Sequence, residues 1–212
     1  MYGFYATTKY LINVFYRPIY KKVEFTVLAL KRDPNELAME KSSLVVKISN
    51  QEDLNKITDK NKIPNDIDLE KFKVILDRSE LLYLLILGGY VCGYAVTQVN
   101  GLYRFGYDCE MVVSRMHVMF KNLYVSVNFR KKSFGNFLNI SRVLDVKGNQ
   151  IPLVFVTKDN RYAIKNWSKI NFEEVATIKQ KIYFSRKKIN HIIFNKNIKD
   201  YPSLKSLLDE IR

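Results

Sequence analysis

The most constraining stretch of the sequence covers residues 123–138, where a strand pattern changes into a helix pattern across a basic turn. Leu123, Val125 and Val127 alternate with more polar residues, and this period of two predicts a β-strand. Three consecutive cations follow at 130–132, and beyond them the apolar residues take helical spacing. The pattern therefore predicts a strand, a tight turn and a helix in direct succession.

A strand that leads through a basic turn into a helix is a potential anion site. The first N–H groups of a helix have no intrahelical partner, and the helix dipole adds positive potential there. Small residues such as Ser133 and Gly135 let the backbone approach a ligand closely. We therefore expect the main-chain N–H groups of 131–136 to bind phosphate, aided by the cations at 130–132. The alternative interpretation is a basic turn that contacts only solvent.

Two segments match motifs that occur in this order in one enzyme family. Arg130, Ser133 and Gly135 match the turn [Arg/Gln]-x-x-Gly-x-[Gly/Ala], with serine at the first glycine. The segment 160–172 is similar to Asn-x-x-Ala-x-x-Leu-Tyr-x-Lys-x-Gly-Phe, with tryptophan in place of tyrosine and asparagine in place of glycine. Through both motifs, residues 44–184 resemble the GCN5-related N-acetyltransferases, abbreviated GNAT.

The resemblance implies the fold and a division of the chain. It implies a mixed α/β (α+β) class, the GNAT-like acyl-CoA N-acyltransferase fold, in which a central mixed sheet is flanked by helices. We assign residues 43–184 to this domain and 1–42 to an N-terminal extension of an aromatic, basic helix and a strand. Residues 185–212 hold a basic segment and an amphipathic helix. That helix could pack on the domain or on the second subunit of a homodimer.

The resemblance also implies which residues bind the cosubstrate, acetyl-CoA. Main-chain groups at the end of the central strand would polarise the thioester carbonyl, and the basic turn would bind the diphosphate. Asn160 would contact the coenzyme arm, although it could simply cap its helix. The residues implied are Tyr124, Val125, Ser126, Val127, Arg130, Lys131, Lys132, Ser133, Phe134, Gly135, Asn136, Asn160 and Trp167.

The acid and the base for transfer to an amine are harder to assign. Trp167 stands where the family has its usual general acid, and an indole N–H cannot serve in proton transfer at neutral pH. Tyr162, one turn earlier, is a candidate substitute. His117 and Glu110 are candidates for the base, and each could instead be structural. A free amine or a water chain could make a dedicated base unnecessary.

Charge and cysteine content bear on the other classes of function. The net charge of +14 and the pI near 9.6 favour anionic partners, although the sequence contains no specific nucleic-acid-binding motif. Cys92 and Cys109 are too few for a disulfide framework, and the two histidines stand too far apart to predict a metal site. The absence of a secretory signal pattern predicts a cytoplasmic protein.

Three functions are open on this basis. The first is an acetyl-CoA-dependent N-acetyltransferase whose acceptor is a small-molecule or peptide amine. The second is a non-catalytic coenzyme A-binding or scaffold protein of the same fold, because both motifs depart from the pattern and no base is evident. The third is a basic peripheral membrane or nucleic-acid-binding protein of another fold. Under any of the three, the aromatic and basic residues of 1–22 either form a helix that packs on the domain or contact anionic lipid at a membrane surface.

Overall fold

The structure is a computed structural model that describes residues 20–31, 42–107, 109–130, 133–183 and 187–211. The helix expected within 1–22 and the connection at 32–41 lie outside these ranges. The strands are β1 (Tyr20–Leu30), β2 (Val45–Ile48), β3 (Leu81–Leu87), β4 (Tyr90–Gln98), β5 (Gly101–Phe105), β6 (Cys109–Val113), β7 (His117–Val125), β8 (Ile151–Thr157), β9 (Phe172–Tyr183) and β10 (Lys187–Phe194). The α-helices are α1 (Gln51–Thr58), α2 (Leu69–Asp77), α3 (Phe134–Leu144), α4 (Arg161–Ser168) and α5 (Pro202–Asp209).

Eight of these strands form one mixed sheet in the order β10-β9-β1-β8-β7-β4-β3-β2, and β5 pairs with β6 in a separate hairpin. Within the described sheet β7 and β8 are parallel, and the other neighbouring strands are antiparallel. The strand that the sequence assigned to an N-terminal extension is β1, and it lies inside the sheet between β8 and β9. Val27 and Leu28 are buried on opposite faces of β1, so this strand contributes to the core on both sides of the sheet.

Each face of the sheet is covered by its own set of elements. Side chains of α3 and α4 pack on one face, with Leu138, Val143 and Trp167 in the core there. Helices α1 and α2 cover part of the opposite face through Leu54 and Phe72. The β5–β6 hairpin and α5 cover the rest of that face. The sheet thus separates α3 and its preceding loop from the β5–β6 hairpin.

The last elements of the chain join the same body. Strand β10 pairs with β9 along the edge of the sheet. Helix α5 buries Leu204 and Leu208 in the core beneath the β5–β6 hairpin, so the amphipathic helix packs on its own domain. No helix in the described part of the chain is long and apolar enough to cross a membrane.

Candidate functional site

The parallel strands β7 and β8 separate soon after they begin. Their register pairs residues 117–119 with 151–153 and ends there. Farther along, β7 stays paired with β4, whereas β8 stays paired with β1. From Phe120 onward, the edge of β7 that faces β8 therefore has no strand partner in the described structure. A gap opens between the two strands toward the C-terminal end of β7.

A β-bulge lies in β7 at the level of this gap. Tyr124 pairs with Tyr94 and Lys121 pairs with Val96, so two residues of β7, Asn122 and Leu123, stand opposite one residue of β4. Asn122 has a φ of +49°, which is uncommon for a residue other than glycine. Bulges of this kind re-aim side chains and are frequent beside functional sites.

The loop after β7 and the start of α3 form one wall of a cleft of about 550 Å³. The end of β7 and the outer side of α4 form the remaining walls. We call it the loop cleft. It is lined by Leu123, Tyr124, Val125, Phe129, Arg130, Ser133, Phe134, Gly135, Asn136, Asn139, Tyr162, Asn166 and Lys169.

The N-terminus of α3 is open toward the loop cleft. Ser133 is the N-cap residue, but its side chain makes no capping hydrogen bond. The main-chain N–H groups of Phe134 and Gly135, in the first turn, have no intrahelical partner. Both residues line the cleft, so these donors and the helix dipole favour an anion at this position. The neighbouring Lys131 and Lys132 lie outside the described residues.

The conformation of Ser133 explains why a glycine suits this position. Its φ is +57° and its ψ is 13°, in the left-handed region, where a side chain costs about 1–2 kcal/mol. We expect Ser133→Val to lower the free energy of unfolding by about 2 kcal/mol, because a β-branched residue is poorly tolerated there. Ser133→Gly should be as stable as the parent. Urea denaturation of both variants tests this, and equal stability of the valine variant would contradict a left-handed residue 133.

The charge of the loop cleft is positive. Two of its lining residues, Arg130 and Lys169, are cations, and none is acidic. Arg130 donates from Nε to the carbonyl oxygen of Val125 at 3.1 Å, and its guanidinium lies 5.6 Å from the centre of the Tyr124 ring. The arginine is thus held against the wall of the cleft, beside the open helix terminus.

A buried arginine secures the bulge from the α3 side of the sheet. Arg142 is 1% exposed, and its Nη1 donates to the carbonyl oxygens of Val96 at 3.0 Å and Lys121 at 3.2 Å. Its guanidinium lies 4.8 Å from the centre of the Phe120 ring and 5.4 Å from that of Trp167. Burial lowers the pKa of Arg142 to about 9, so the group is still charged at neutral pH.

Arg142 also determines how Asn139 presents its amide. The Nη2 of Arg142 donates to Oδ1 of Asn139, and a guanidinium has no acceptor, so the amide oxygen must face the arginine. The amide nitrogen then points the other way and donates to no described residue. Asn139 is only 2% exposed, yet it lines the loop cleft. The amide is therefore a fixed hydrogen-bond donor to that cleft.

The same architecture is found in solved acetyltransferase structures. An acetyltransferase of the GNAT family from Novosphingobium aromaticivorans superposes with a TM-score of 0.53 over 75% of this chain and 63% of that chain, at 8% sequence identity. The chain has the GNAT acetyltransferase fold. The fold class expected from the sequence, a mixed central sheet flanked by helices, is thereby confirmed.

Other GNAT proteins are similar at lower scores. The GCN5-related N-acetyltransferase from Kribbella flavida gives a TM-score of 0.47 at 11% identity, over 90% of this chain and 66% of that chain. A GNAT-family acetyltransferase from Colwellia psychrerythraea gives 0.47 at 12% identity, over 83% and 57%. The chain thus spans less than two thirds of each of these proteins. No protein-family model matches the sequence, and no curated protein matches it.

The GNAT fold brings many of the expected coenzyme residues to one place. The loop cleft contains Tyr124, Val125, Arg130, Ser133, Phe134, Gly135 and Asn136. Sequence reasoning did not identify Asn139 or Arg142 as part of this region. The only local signal was that they lie three residues apart on one helix, which places them on the same side of α3.

Ser126 and Val127 are engaged by a carboxylate from the other side of the sheet. Asp66, in the α1–α2 loop, accepts from Ser126 Oγ at 2.9 Å, from Val127 N–H at 2.9 Å and from Tyr124 Oη at 2.8 Å. The Val127 N–H bond is the main reason why the pKa of Asp66 lies below its ordinary value. The N–H of Ser126 donates to Cys92. These two N–H groups are therefore hydrogen-bonded within the protein, and their contact with a thioester carbonyl stays a prediction.

Two further expected coenzyme residues have structural positions. Trp167 is 5% exposed and packs on Phe120 and Phe172 in the core, so it does not reach the loop cleft. Asn160 caps α4, since its Oδ1 accepts from the N–H of Ala163 at 3.1 Å. It does not line the loop cleft. The motif spacing located α4 correctly but did not indicate which of its side chains face outward.

The three candidate catalytic residues are far apart. Tyr162 lines the loop cleft and is 78% exposed. His117 begins β7, eight residues and about 26 Å from Val125, so it cannot act in that cleft. Glu110 lies on the β5–β6 hairpin and pairs with Arg104 at 2.6 Å. No cluster of three or more potential metal ligands occurs in the described ranges.

His117 should instead affect how stability depends on pH. Its Nδ1 lies 2.8 Å from Ser114 Oγ, and burial lowers its pKa below 6.5. The unfolded chain then binds more protons than the folded protein in this range, so stability decreases as pH falls through 6.5. We expect His117→Gln to show a shallower decrease between about pH 7.5 and 5. Denaturant titrations across this range test it, with exposed His191→Gln as the control.

Proposed function

We propose that the protein is an acetyl-CoA-dependent N-acetyltransferase that binds the coenzyme in the loop cleft. The observation that carries this proposal is the uncapped N-terminus of α3 in a cleft with two cations and no acid, next to the point where β7 and β8 separate. The N–H groups of Phe134 and Gly135 would bind the diphosphate, with Arg130 beside them.

The remaining groups of the cleft suit the arm of the coenzyme. The edge of β7 that has no strand partner supplies main-chain donors and acceptors, which a pantetheine amide can pair with as a strand would. The amide nitrogen of Asn139 supplies a donor whose orientation Arg142 holds. Acetyl-CoA would contribute an acetyl group activated as a thioester.

The transfer requires two proton movements. The amine nitrogen forms a bond to the acetyl carbon while the carbon–sulfur bond breaks, so the nitrogen loses a proton and the sulfur gains one. The phenolic O–H of Tyr162 is in the cleft and can donate to the leaving sulfur. Because the loop cleft contains no carboxylate or imidazole, the amine proton would pass to water or to a group outside this cleft.

Calorimetric titration of the intact protein tests the proposal. Acetyl-CoA should bind in the micromolar range, whereas acetyl-pantetheine, which lacks the phosphates, should bind at least tenfold more weakly. Release of free thiol in the presence of a panel of amines then reports transfer. Tyr162→Phe should lower kcat by tenfold or more with little change in acetyl-CoA affinity. Failure of the intact protein to bind acetyl-CoA would refute the proposal.

A coenzyme A-binding protein without transfer activity is the second candidate. It is favoured by the burial of Trp167 at the position of the family acid and by the lack of an acidic residue in the loop cleft. In that case acetyl-CoA binds with the same dependence on the phosphates, but no amine accelerates thiol release.

A further inference from the structure

A second cleft, of about 610 Å³, lies on the face of the sheet opposite α3. It runs between the end of α2 and the start of β5, over the middle of β7. We call it the hairpin cleft. It is lined by Arg78, Glu80, Gln98, Asn100, Gly101, Leu102, Tyr103, Arg104, Lys121 and Asn122. Most of these side chains are polar, so the cleft is suited to a charged or strongly hydrogen-bonding ligand.

An ion pair forms the floor of the hairpin cleft. Lys121 Nζ lies 2.7 Å from Glu80 Oε1 and 2.9 Å from Gln98 Oε1. The side chains of Glu80 and Lys121 are only 7% and 16% exposed. Removing two charges from water costs free energy that offsets much of their mutual attraction. A buried ion pair is therefore weak evidence that these residues are present for stability. It does hold Glu80 rigidly, and Oε2 of Glu80 accepts no hydrogen bond from a described residue.

Left-handed residues stand beside both members of this pair. Ser79, which precedes Glu80, has a φ of +57°, and Asn122, which follows Lys121, has a φ of +49°. Ser79 ends α2 in a Schellman motif, because its N–H donates to Leu76 O and the N–H of Glu80 donates to Ile75 O. Asn122 belongs to the bulge of β7. The end of α2 and the bulge therefore fix the positions of Glu80 and Lys121 in the floor of the cleft.

The mouth of the hairpin cleft has an unneutralised positive charge. Arg104 is paired with Glu110, and Lys121 is paired with Glu80. Arg78, at the C-terminal end of α2, is exposed, and its guanidinium makes no ion pair or hydrogen bond with a described residue. The cleft thus offers a free guanidinium at its mouth and a carboxylate oxygen at its floor, which are complementary to a ligand with one anionic and one amine group.

The hairpin cleft and the loop cleft meet at the bulge of β7. Asn122 lines the first cleft, and the next residue, Leu123, lines the second. Their Cα atoms are about 3.8 Å apart, so the two clefts lie back to back on opposite faces of the sheet at this point. The edge of β7 that has no strand partner begins at Phe120 and runs past both residues, so the gap between β7 and β8 is the opening that would connect an amine in the hairpin cleft with the loop cleft.

We propose that the hairpin cleft binds the acceptor, and that this acceptor is a small amine that also carries a carboxylate or phosphate group. Arg78 binds the anionic group, and Glu80 Oε2 accepts a hydrogen bond from the amine. This inference rests on the proposed transferase function, because it names the class of substrate of the same reaction. It assigns Arg78 to acceptor specificity and leaves coenzyme binding to the loop cleft.

Two small probes test the proposal without any turnover. They are β-alanine and β-alaninamide, in which an uncharged amide replaces the carboxylate and the amine is retained. Ligand-observed NMR on the intact protein should show at least fivefold tighter binding of β-alanine. Arg78→Gln should remove that difference, whereas Arg115→Gln, an exposed arginine outside the hairpin cleft, should preserve it. Equal binding of the two probes, no binding of either, or an unchanged preference in Arg78→Gln would overturn the proposal.

Two further measurements distinguish a failure of this inference from a failure of the proposed function. Acetyl-CoA affinity should be the same in Arg78→Gln as in the parent protein, because the loop cleft is untouched. With acetyl-CoA present, Arg78→Gln should raise the KM for β-alanine at least fivefold at unchanged kcat. If the parent protein does not bind acetyl-CoA, the transferase function is refuted. If the parent binds acetyl-CoA but Arg78→Gln leaves the KM for β-alanine unchanged, only the acceptor assignment is refuted.

Discussion

Replacing Gly135 with glutamate should weaken acetyl-CoA binding at least a hundredfold while making the protein more stable. The new carboxylate would stand in the loop cleft beside the N-terminus of α3, where it repels a diphosphate. At 4 Å and an effective dielectric constant near 20, such a repulsion is about 4 kcal/mol per charge pair. The same carboxylate interacts favourably with the helix dipole, and glycine is a poor helix residue, so unfolding should cost about 1 kcal/mol more.

Gly135→Gln is the matched control for this prediction. A Cβ at residue 135 would lie 3.5 Å from Leu123 Cδ2, an ordinary contact, so neither side chain forces the backbone to move. The glutamine variant should gain part of the stability and keep acetyl-CoA affinity within about tenfold, since it adds bulk without charge. Calorimetric titration and urea denaturation measure the two quantities. If both variants bind equally well, the diphosphate does not lie at this helix terminus.

Arg142→Met should lower the free energy of unfolding by about 3 kcal/mol. The change removes the Arg142 hydrogen bonds from three largely buried acceptors, namely the carbonyl oxygens of Val96 and Lys121 and the amide oxygen of Asn139. Each unsatisfied buried group costs about 1–3 kcal/mol, and removal of a buried charge offsets part of that sum. For a domain of this size the melting temperature should fall by about 6–12 °C.

Arg142→Lys separates the role of charge from that of geometry. The ammonium group keeps the positive charge but lacks the planar fork that reaches several acceptors at once, so we expect it to restore less than half of the lost stability. Both variants should bind acetyl-CoA more weakly, because Asn139 loses the partner that orients it. A methionine variant as stable as the parent would show that burying the charge costs about as much as its hydrogen bonds contribute.

Local patterns predicted well where the structure depends on neighbouring residues. Gly88 and Gly89, with φ of +58° and +77°, form the turn between β3 and β4, as a Gly-Gly pair between two apolar runs predicts. The alternation at 123–127 and the apolar spacing beyond residue 134 located the end of β7, the loop and α3. In each case the residues that determine the conformation are within a few positions of one another, so the signal is contained in a short window.

The sequence did not predict the position or role of a residue that depends on a partner far away in the chain. Nothing in the sequence near β1 indicates that this strand pairs with β8 and β9, more than a hundred residues away. Motif spacing assigned Trp167 to the coenzyme, but its packing against Phe120 and Phe172 places it in the core. Asp66 went unnoticed, although it holds the end of β7 across about sixty residues of chain.

The order of residues along the chain was thus sufficient for the local events at the loop cleft: the strand end, the left-handed turn at Ser133 and the start of α3. It was not sufficient for the groups that complete the two clefts, namely Asn139 oriented by Arg142, and Glu80 held by Lys121. Backbone conformation follows from interactions within a few residues, whereas these pairs form between surfaces that meet only after the sheet has assembled. Their charges and hydrogen-bond donors come together through packing, which no short window of sequence contains.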